Sequence, residues 1–263
     1  MRINQVKAAL AENRPVVNGW LAIPSGYSAE IVGHQGFDAV TVDLQHGMID
    51  FASALTMLQA LSATPAVPLV RVQNNNPAQI MRMLDAGAYG IICPMISTAD
   101  EARAFVAACR YSPQGNRSFG PARGLLYGGA DYPQHANREI LTLAMIETRE
   151  GLANLDAILA TDGLDGVFIG PNDLSLTLTG AASAESDHPE MLAAVEQVIA
   201  CCRQRRKVAG IFCTSGAAAA RRIAEGFQFV TPANDVMQLG RAAREAIAVA
   251  RGNAIPATGA SGY

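Results

Sequence analysis

TLAMIETREGLANLDAILATDGLDGVFIGPND, residues 142–173, decides the fold. It opens on a short apolar run, 142–146 (TLAMI), passes through a helix-compatible stretch, 150–160, and closes on a second run, 166–169 (GVFI). Both runs are continuously apolar, as expected of parallel strands covered on both faces. Asp162-Gly163-Leu164-Asp165-Gly166 places a glycine stop between the helix and the second run. The stretch reads as one strand–helix–strand unit, with Glu147 and Asp173 each just past a strand. If the two strands are neighbours in a parallel barrel, both carboxylates emerge at the same rim, where one divalent cation could bridge them.

The same pattern extends in both directions. Strand candidates are 16–22 (VVNGWLA), 38–43 (DAVTVD), 67–72 (VPLVRV), 89–93 (YGIIC), 142–146, 166–169, 208–213 (VAGIFC) and 227–231 (FQFVT). Helical patterns cover 27–34, 51–62, 77–86, 98–109, 150–160, 189–206, 216–225 and 235–251. Strict alternation of eight with eight predicts an α/β fold, a (β/α)8 barrel of the TIM type. The main competitor, a doubly wound open sheet, lacks support because no G-x-G-x-x-G follows the first strand. Residues 111–138 (YSPQGNRSFGPARGLLYGGADYPQHANR) interrupt the alternation as a long Gly/Pro/Arg-rich insertion, which in a compact domain is usually functional or disordered. No internal repeat or linker divides the chain, so residues 1–252 are expected to form one barrel domain. The small, polar residues that follow, to 263, are expected to fray.

Composition excludes several classes. A net charge of -3 gives no electrostatic case for nucleic acid or an anionic membrane surface. The basic cluster Arg203-Gln204-Arg205-Arg206-Lys207 closes a helical stretch, where cations suit the helix dipole. The five cysteines form no CxxC pair and are odd in number, which fits a reducing, cytoplasmic setting. The first residues, MRINQVKAALAENRP, read as an amphipathic helix and lack the apolar core of a signal peptide. No apolar run approaches the roughly 20 residues needed to span a bilayer, so a soluble protein without membrane association is expected.

Chemistry in such a barrel gathers at the C-terminal ends of the strands. There the chain places Asp43-Leu44-Gln45-His46, Arg71, Glu147 and Gly170-Pro171-Asn172-Asp173. One acid at a strand end could cap the next helix, but two on neighbouring strands repel unless a cation or shared proton compensates. All-oxygen ligation points to a hard ion such as Mg2+ or Mn2+. His46, three residues after Asp43, has a carboxylate near enough to fix its tautomer, as a general base needs. Asp85, opposing the dipole in the last turn of a helix, is a second candidate partner. Arg71, at the end of an apolar strand, should face an anion, either an acid of the rim or a substrate carboxylate or enolate. The 170–172 turn exposes backbone amides at a helix start, with Asn172 and Asp173 supplying them because Pro171 has none. The chain's two lysines, Lys7 and Lys207, lie outside the strand ends, which disfavours a lysine imine.

With these residues in hand, the chain resembles the HpcH/HpaI aldolase family of class II, metal-dependent pyruvate aldolases. The resemblance spans residues 10–252. It rests on Asp43…His46, Val70-Arg71-Val72, Cys93-Pro94-Met95, Ile146-Glu147-Thr148-Arg149-Glu150 and Phe168-Ile169-Gly170-Pro171-Asn172-Asp173-Leu174-Ser175. It implies aldol cleavage of 4-hydroxy-2-oxoacids to pyruvate (or hydroxypyruvate) and an aldehyde. Glu147 and Asp173 would hold a divalent metal, Mg2+ or Mn2+, with Co2+ or Zn2+ as substitutes. Arg71 would hold the keto oxygen, and the amides of the turn from Gly170 to Asp173 the carboxylate. His46, helped by Asp43 or by Asp85 of a neighbouring subunit, would move the proton. The resemblance also implies a homo-oligomer, a hexamer with exchanged C-terminal helices. Two departures stand out: Gln45 where many members carry Glu, and Met145 where many carry Gln. Both leave the ligands and base intact and make the substrate the point of difference. Arg117, Phe119, Arg123 and Tyr127 of the insertion are expected either to recognise the acceptor aldehyde or to pack at a subunit boundary.

The sequence is compatible with two rival functions. A CoA-thioester lyase of the citrate-lyase β or malyl-CoA type would share the metal acids but call for further basic residues toward the CoA phosphates. A non-catalytic barrel that binds a 2-oxoacid would need no general base.

Overall fold

The computed structural model describes residues 1–254. Its eight strands are β1 (Val16–Leu21), β2 (Ala39–Asp43), β3 (Val67–Arg71), β4 (Gly90–Cys93), β5 (Leu141–Ile146), β6 (Gly166–Ile169), β7 (Val208–Cys213) and β8 (Phe229–Pro232). All pair in parallel in chain order, and β8 returns to β1, so the sheet closes into a (β/α)8 barrel. The strands are nearly continuously buried, because helices cover the outside and side chains fill the inside. This double burial removes the polar–apolar alternation that half-exposed strands show.

Period-two geometry sets what points inward. Asn18 and Trp20 of β1, Thr41 and Asp43 of β2, Met145 and then Glu147 of β5, and Phe168 and then Gly170 of β6 share the inner face. In the barrel's lower layer, Thr41 Oγ1 donates to Asn18 Oδ1 at 3.0 Å, and Asn18 Nδ2 donates to Thr231 Oγ1 at 2.9 Å. Above them Trp20 stacks on Phe168, with ring centroids 5.7 Å apart, and Phe168 meets Phe229 edge-on at 6.1 Å. Gly210 makes room for this layer, since a Cβ there would stand 2.8 Å from Phe168 Cδ2. The aromatic layer floors the cavity above.

Helix stops fall where the glycines predict, with Gly87 at φ +107 and Gly226 at φ +117. Three expectations need correction. The helical pattern at 150–160 is two short helices, Arg149–Ala153 and Leu155–Leu159. Asn154 ends one and begins the other, while its Nδ2 donates to the Ser97 carbonyl at 2.8 Å. A helix Pro171–Thr179 follows β6 directly, outside the eight helical stretches expected. The 111–138 insertion is neither an open loop nor disordered: it carries helices Ala122–Gly128 and Tyr132–Glu139, and Tyr132 is fully buried. The N-terminal helix, Gln5–Ala11, is present, capped by Asn4. The expected fraying tail lies outside the described residues. Among the described residues, no helix is long and apolar enough to cross a membrane.

Candidate active site

At the C-terminal rim, His46, Arg71, Glu147, Gly170, Pro171, Asn172 and Asp173 line one cavity of about 910 Å3. Its remaining wall includes Trp20, Met145, Phe168 and Phe212.

Parallel pairing sets Asp43 opposite Arg71 in register. Arg71 Nε donates to Asp43 Oδ1 at 2.7 Å and Nη2 to Oδ2 at 2.6 Å, a two-pronged ion pair. Asp43 also accepts from Trp20 Nε1 at 3.2 Å and from the amides of Gln45 and His46 at 3.0 and 3.3 Å. Burial opposes its ionisation, yet the hydrogen bonds and charge of Arg71 prevail and hold its carboxyl below the usual range. The Arg71 guanidinium lies 4.8 Å from the Trp20 ring centre. Asp43 therefore fixes Arg71 in place and shapes the turn that delivers His46, whose side chain is exposed at the cavity wall.

Glu147 leaves the end of β5 almost fully buried, with 3% exposure. Its Oε1 accepts the Met95 amide at 2.7 Å. Burial pushes its carboxyl up to about 7; the Met95 hydrogen bond opposes this and the negative charge of Asp173 adds to it. Asp173 is exposed at the third position of the Pro171–Thr179 helix, whose start at Gly170 has no side-chain cap. The first amides of that helix are consequently available to an anion.

The raised Glu147 pKa has a measurable consequence. The folded pKa of about 7 lies above the ordinary 4.5, so the neutral form contributes stability that is full below 4.5 and is lost as pH rises through 7. In chelator, unfolding free energy should fall by up to about 3 kcal/mol across that window, and Glu147→Gln should flatten the profile. Urea titrations at several pH values read both. A slope unchanged by the substitution contradicts the assignment.

The structure does not bring every candidate together. Asp85 ends the helix Pro77–Asp85, which runs antiparallel to the strands, so within one chain it lies at the barrel end opposite His46. There Arg117 Nη2 donates to Asp85 Oδ1 at 2.7 Å, and Arg117 Nη1 donates to the Tyr132 hydroxyl at 2.8 Å. Arg123 donates to the carbonyl of Ala86 at 2.8 Å and Tyr127 packs edge-on against Tyr89 at 4.7 Å. These insertion residues thus pack against residues 85–89 of their own chain. Sequence reasoning missed Trp20 and the Met95 amide. Trp20 had a signal, as the chain's one tryptophan at the end of a strand.

Comparison with known proteins agrees with this geometry. The family profile described as HpcH/HpaI aldolase/citrate lyase matches residues 18–242. The chain belongs to the HpcH/HpaI aldolase/citrate lyase family. Like its relatives in that family it is a carbon–carbon lyase of the aldolase kind. It is 47% identical over 249 residues to the hydroxypyruvate/pyruvate aldolase of Rhizorhabdus wittichii, covering 95% of this chain and 99% of that one. It is 42% identical over 253 residues to the 4-hydroxy-2-oxo-heptane-1,7-dioate aldolase of Shigella flexneri, with 95% and 94% covered. A solved HpcH/HpaI family protein from Burkholderia cenocepacia superposes with a TM-score of 0.88 at 32% identity, covering 94% and 99% of the two chains.

Proposed function

We propose that the chain catalyses reversible aldol cleavage of 4-hydroxy-2-oxoacids to an aldehyde and pyruvate or hydroxypyruvate, with a divalent cation held by Glu147 and Asp173. The observation that carries this reading is the carboxylate pair itself. Two acids from consecutive strand ends line one cavity, the charge of one raises the pKa of the other, and the nearby Arg71 is already engaged with Asp43. A hard divalent ion such as Mg2+ or Mn2+ suits this donor set, with Co2+ or Zn2+ as substitutes. Among the described residues no group of three or more His, Cys, Asp or Glu that could hold a metal occurs, so the protein's share of the ligands would be this pair alone. Such an ion, when bound, supplies the electron sink that an aldol cleavage needs.

The chain's own groups would do the rest. Arg71, fixed by Asp43 and Trp20, holds the keto oxygen and stabilises the developing enolate. The amides of Asn172 and Asp173 bind the carboxylate. His46, at the open wall, takes the proton from the C4 hydroxyl during cleavage. The hydrophobic side of Trp20, Met145 and Phe212 accommodates the aldehyde. The Rhizorhabdus wittichii relative, named a hydroxypyruvate/pyruvate aldolase, supports this donor choice.

The same proposal takes the working form to be a homo-oligomer, a hexamer with exchanged C-terminal helices, in the cytoplasm. The helix Asp235–Ala250 supports assembly by exposing Val236, Leu239, Ile247 and Val249. Asp85 of a neighbouring subunit is then the candidate second partner for His46. The five free cysteines support a reducing compartment.

Pyruvate release from a 4-hydroxy-2-oxoacid, followed with lactate dehydrogenase and NADH, tests the reaction. Release lost on chelation and restored by Mn2+ or Mg2+ is expected. Release that survives chelation removes the metal from the account, and cleavage only of CoA thioesters replaces the aldolase reading.

A further inference from the structure

Pro94-Met95 follows β4 and has no task in the reaction proposed above. Met95 holds φ at +58, in the left-handed region that residues other than Gly, Asn and Asp rarely occupy. Its residue is 51% exposed, so side-chain packing does not impose this backbone. What the conformation achieves is the aim of the amide, which donates to Glu147 Oε1 at 2.7 Å. That is the one hydrogen bond given to this carboxylate among the described residues. The other oxygen, Oε2, lies over Gly170, where a Cβ would stand 2.1 Å from it.

The turn is fastened to the segment that follows Glu147. Ser97 Oγ and Thr148 Oγ1 are hydrogen-bonded at 2.8 Å, and Asn154 Nδ2 donates to the Ser97 carbonyl at 2.8 Å. Gly151 lies so close to the Ile96 carbonyl that a Cβ would stand 2.8 Å from its oxygen. Residues 95–97 and 147–154 are therefore laced together, the setting in which an unfavourable backbone conformation persists and marks a site.

We propose that the Met95 peptide is a positioning group for the metal site: it occupies Glu147 Oε1 and leaves Oε2 as the oxygen that Glu147 offers to a divalent cation. The inference rests on the proposed function and names how one of its ligands is held. A carboxylate restricted to one oxygen leaves coordination positions for a chelating 2-oxoacid and water. Partners of this kind, which orient a ligand without touching the metal, typically contribute 10- to 100-fold in metal affinity.

The test replaces the amide N–H alone. The full chain is made with the α-hydroxy analogue of methionine at position 95, which turns the 94–95 amide into an ester and keeps the side chain. Free Mn2+ is followed by electron paramagnetic resonance in the absence of substrate, so the readout does not depend on turnover. The ester chain should bind Mn2+ about 10- to 100-fold more weakly than wild type. At saturating Mn2+ its kcat should return to within a few-fold of wild type, a rescue that general damage to the fold would not permit. Met95→Gly keeps the donor and removes the strain, so its Mn2+ affinity should stay within about threefold of wild type while its thermal midpoint holds or rises. Gly170→Ala, which presses on Oε2, should weaken Mn2+ binding with the circular dichroism spectrum retained. If wild type binds Mn2+ and the ester chain binds it equally well, the positioning role is overturned while the metal site stands. If wild type binds no Mn2+, the inference falls together with the function on which it rests.

Discussion

Glu147→Ala is expected to lower kcat/KM for aldol cleavage by about a thousandfold or more. A metal electron sink contributes several kcal/mol to the transition state, and each 1.36 kcal/mol is a factor of about ten. Removing one of two protein ligands forfeits most of that. Stability should move the other way, because Glu147 is 3% exposed and burial penalises its charged form. In chelator near neutral pH the alanine chain should therefore be no less stable than wild type, within the cost of the small cavity left behind. Steady-state kinetics with added Mn2+ and urea unfolding in chelator measure the two halves. A large activity loss accompanied by a matching loss of stability would assign Glu147 to the fold instead of to the metal.

Arg71→Ala is expected to damage both activity and stability. It leaves Asp43, which is fully buried, without its two-pronged partner at 2.7 and 2.6 Å. Stranding a buried charge in this way typically costs about 3–5 kcal/mol. Activity should fall by about 10²–10³, the usual loss when a donor aimed at developing negative charge is removed. The sign of the pH dependence follows from Asp43, whose folded pKa is held below the usual 3.8. The stability that its ionised form contributes is present above the unfolded pKa and disappears as pH falls through the folded one. The deficit of the Arg71→Ala chain should accordingly narrow in strong acid. Arg71→Lys restores a charge but not the planar fork, so it should recover only part of either quantity. Wild-type stability at neutral pH in Arg71→Ala would show that the pair is not a structural element of the site.

Much of this was legible in the chain because the barrel imposes strong local rules. Runs such as GVFI and VAGIFC coincide with β6 and β7 residue for residue, since strands buried on both faces have nothing polar to blur their ends. Arg71 ends its strand and Glu147, His46 and Asp173 follow theirs, positions that the strand pattern marks, and all four line one cavity. The insertion's two helices leave no such signal, because Gly and Pro mark turns whether or not short helices lie between them, and the buried ring of Tyr132 that anchors it has no periodic pattern. Asp85 opposes the dipole of its helix and so calls for a partner. Within the chain the partner is Arg117, at the far end of the barrel, a pairing between distant segments that no local pattern encodes. Met95 lay further out of reach, since its contribution is a backbone direction set by φ +58 and its exposed side chain gives no hint of it.

Glu147 and Asp173 are proposed to hold a cation that makes the pyruvate methyl group acidic, with His46 moving the proton. Following the methyl protons of pyruvate by NMR in D2O tests this without any aldehyde acceptor. Exchange into deuterium is expected with Mn2+ or Mg2+, and it should stop in chelator, vanish in Glu147→Ala and be greatly slowed in His46→Ala. Exchange that continues in chelator, or no exchange with either metal present, would contradict it.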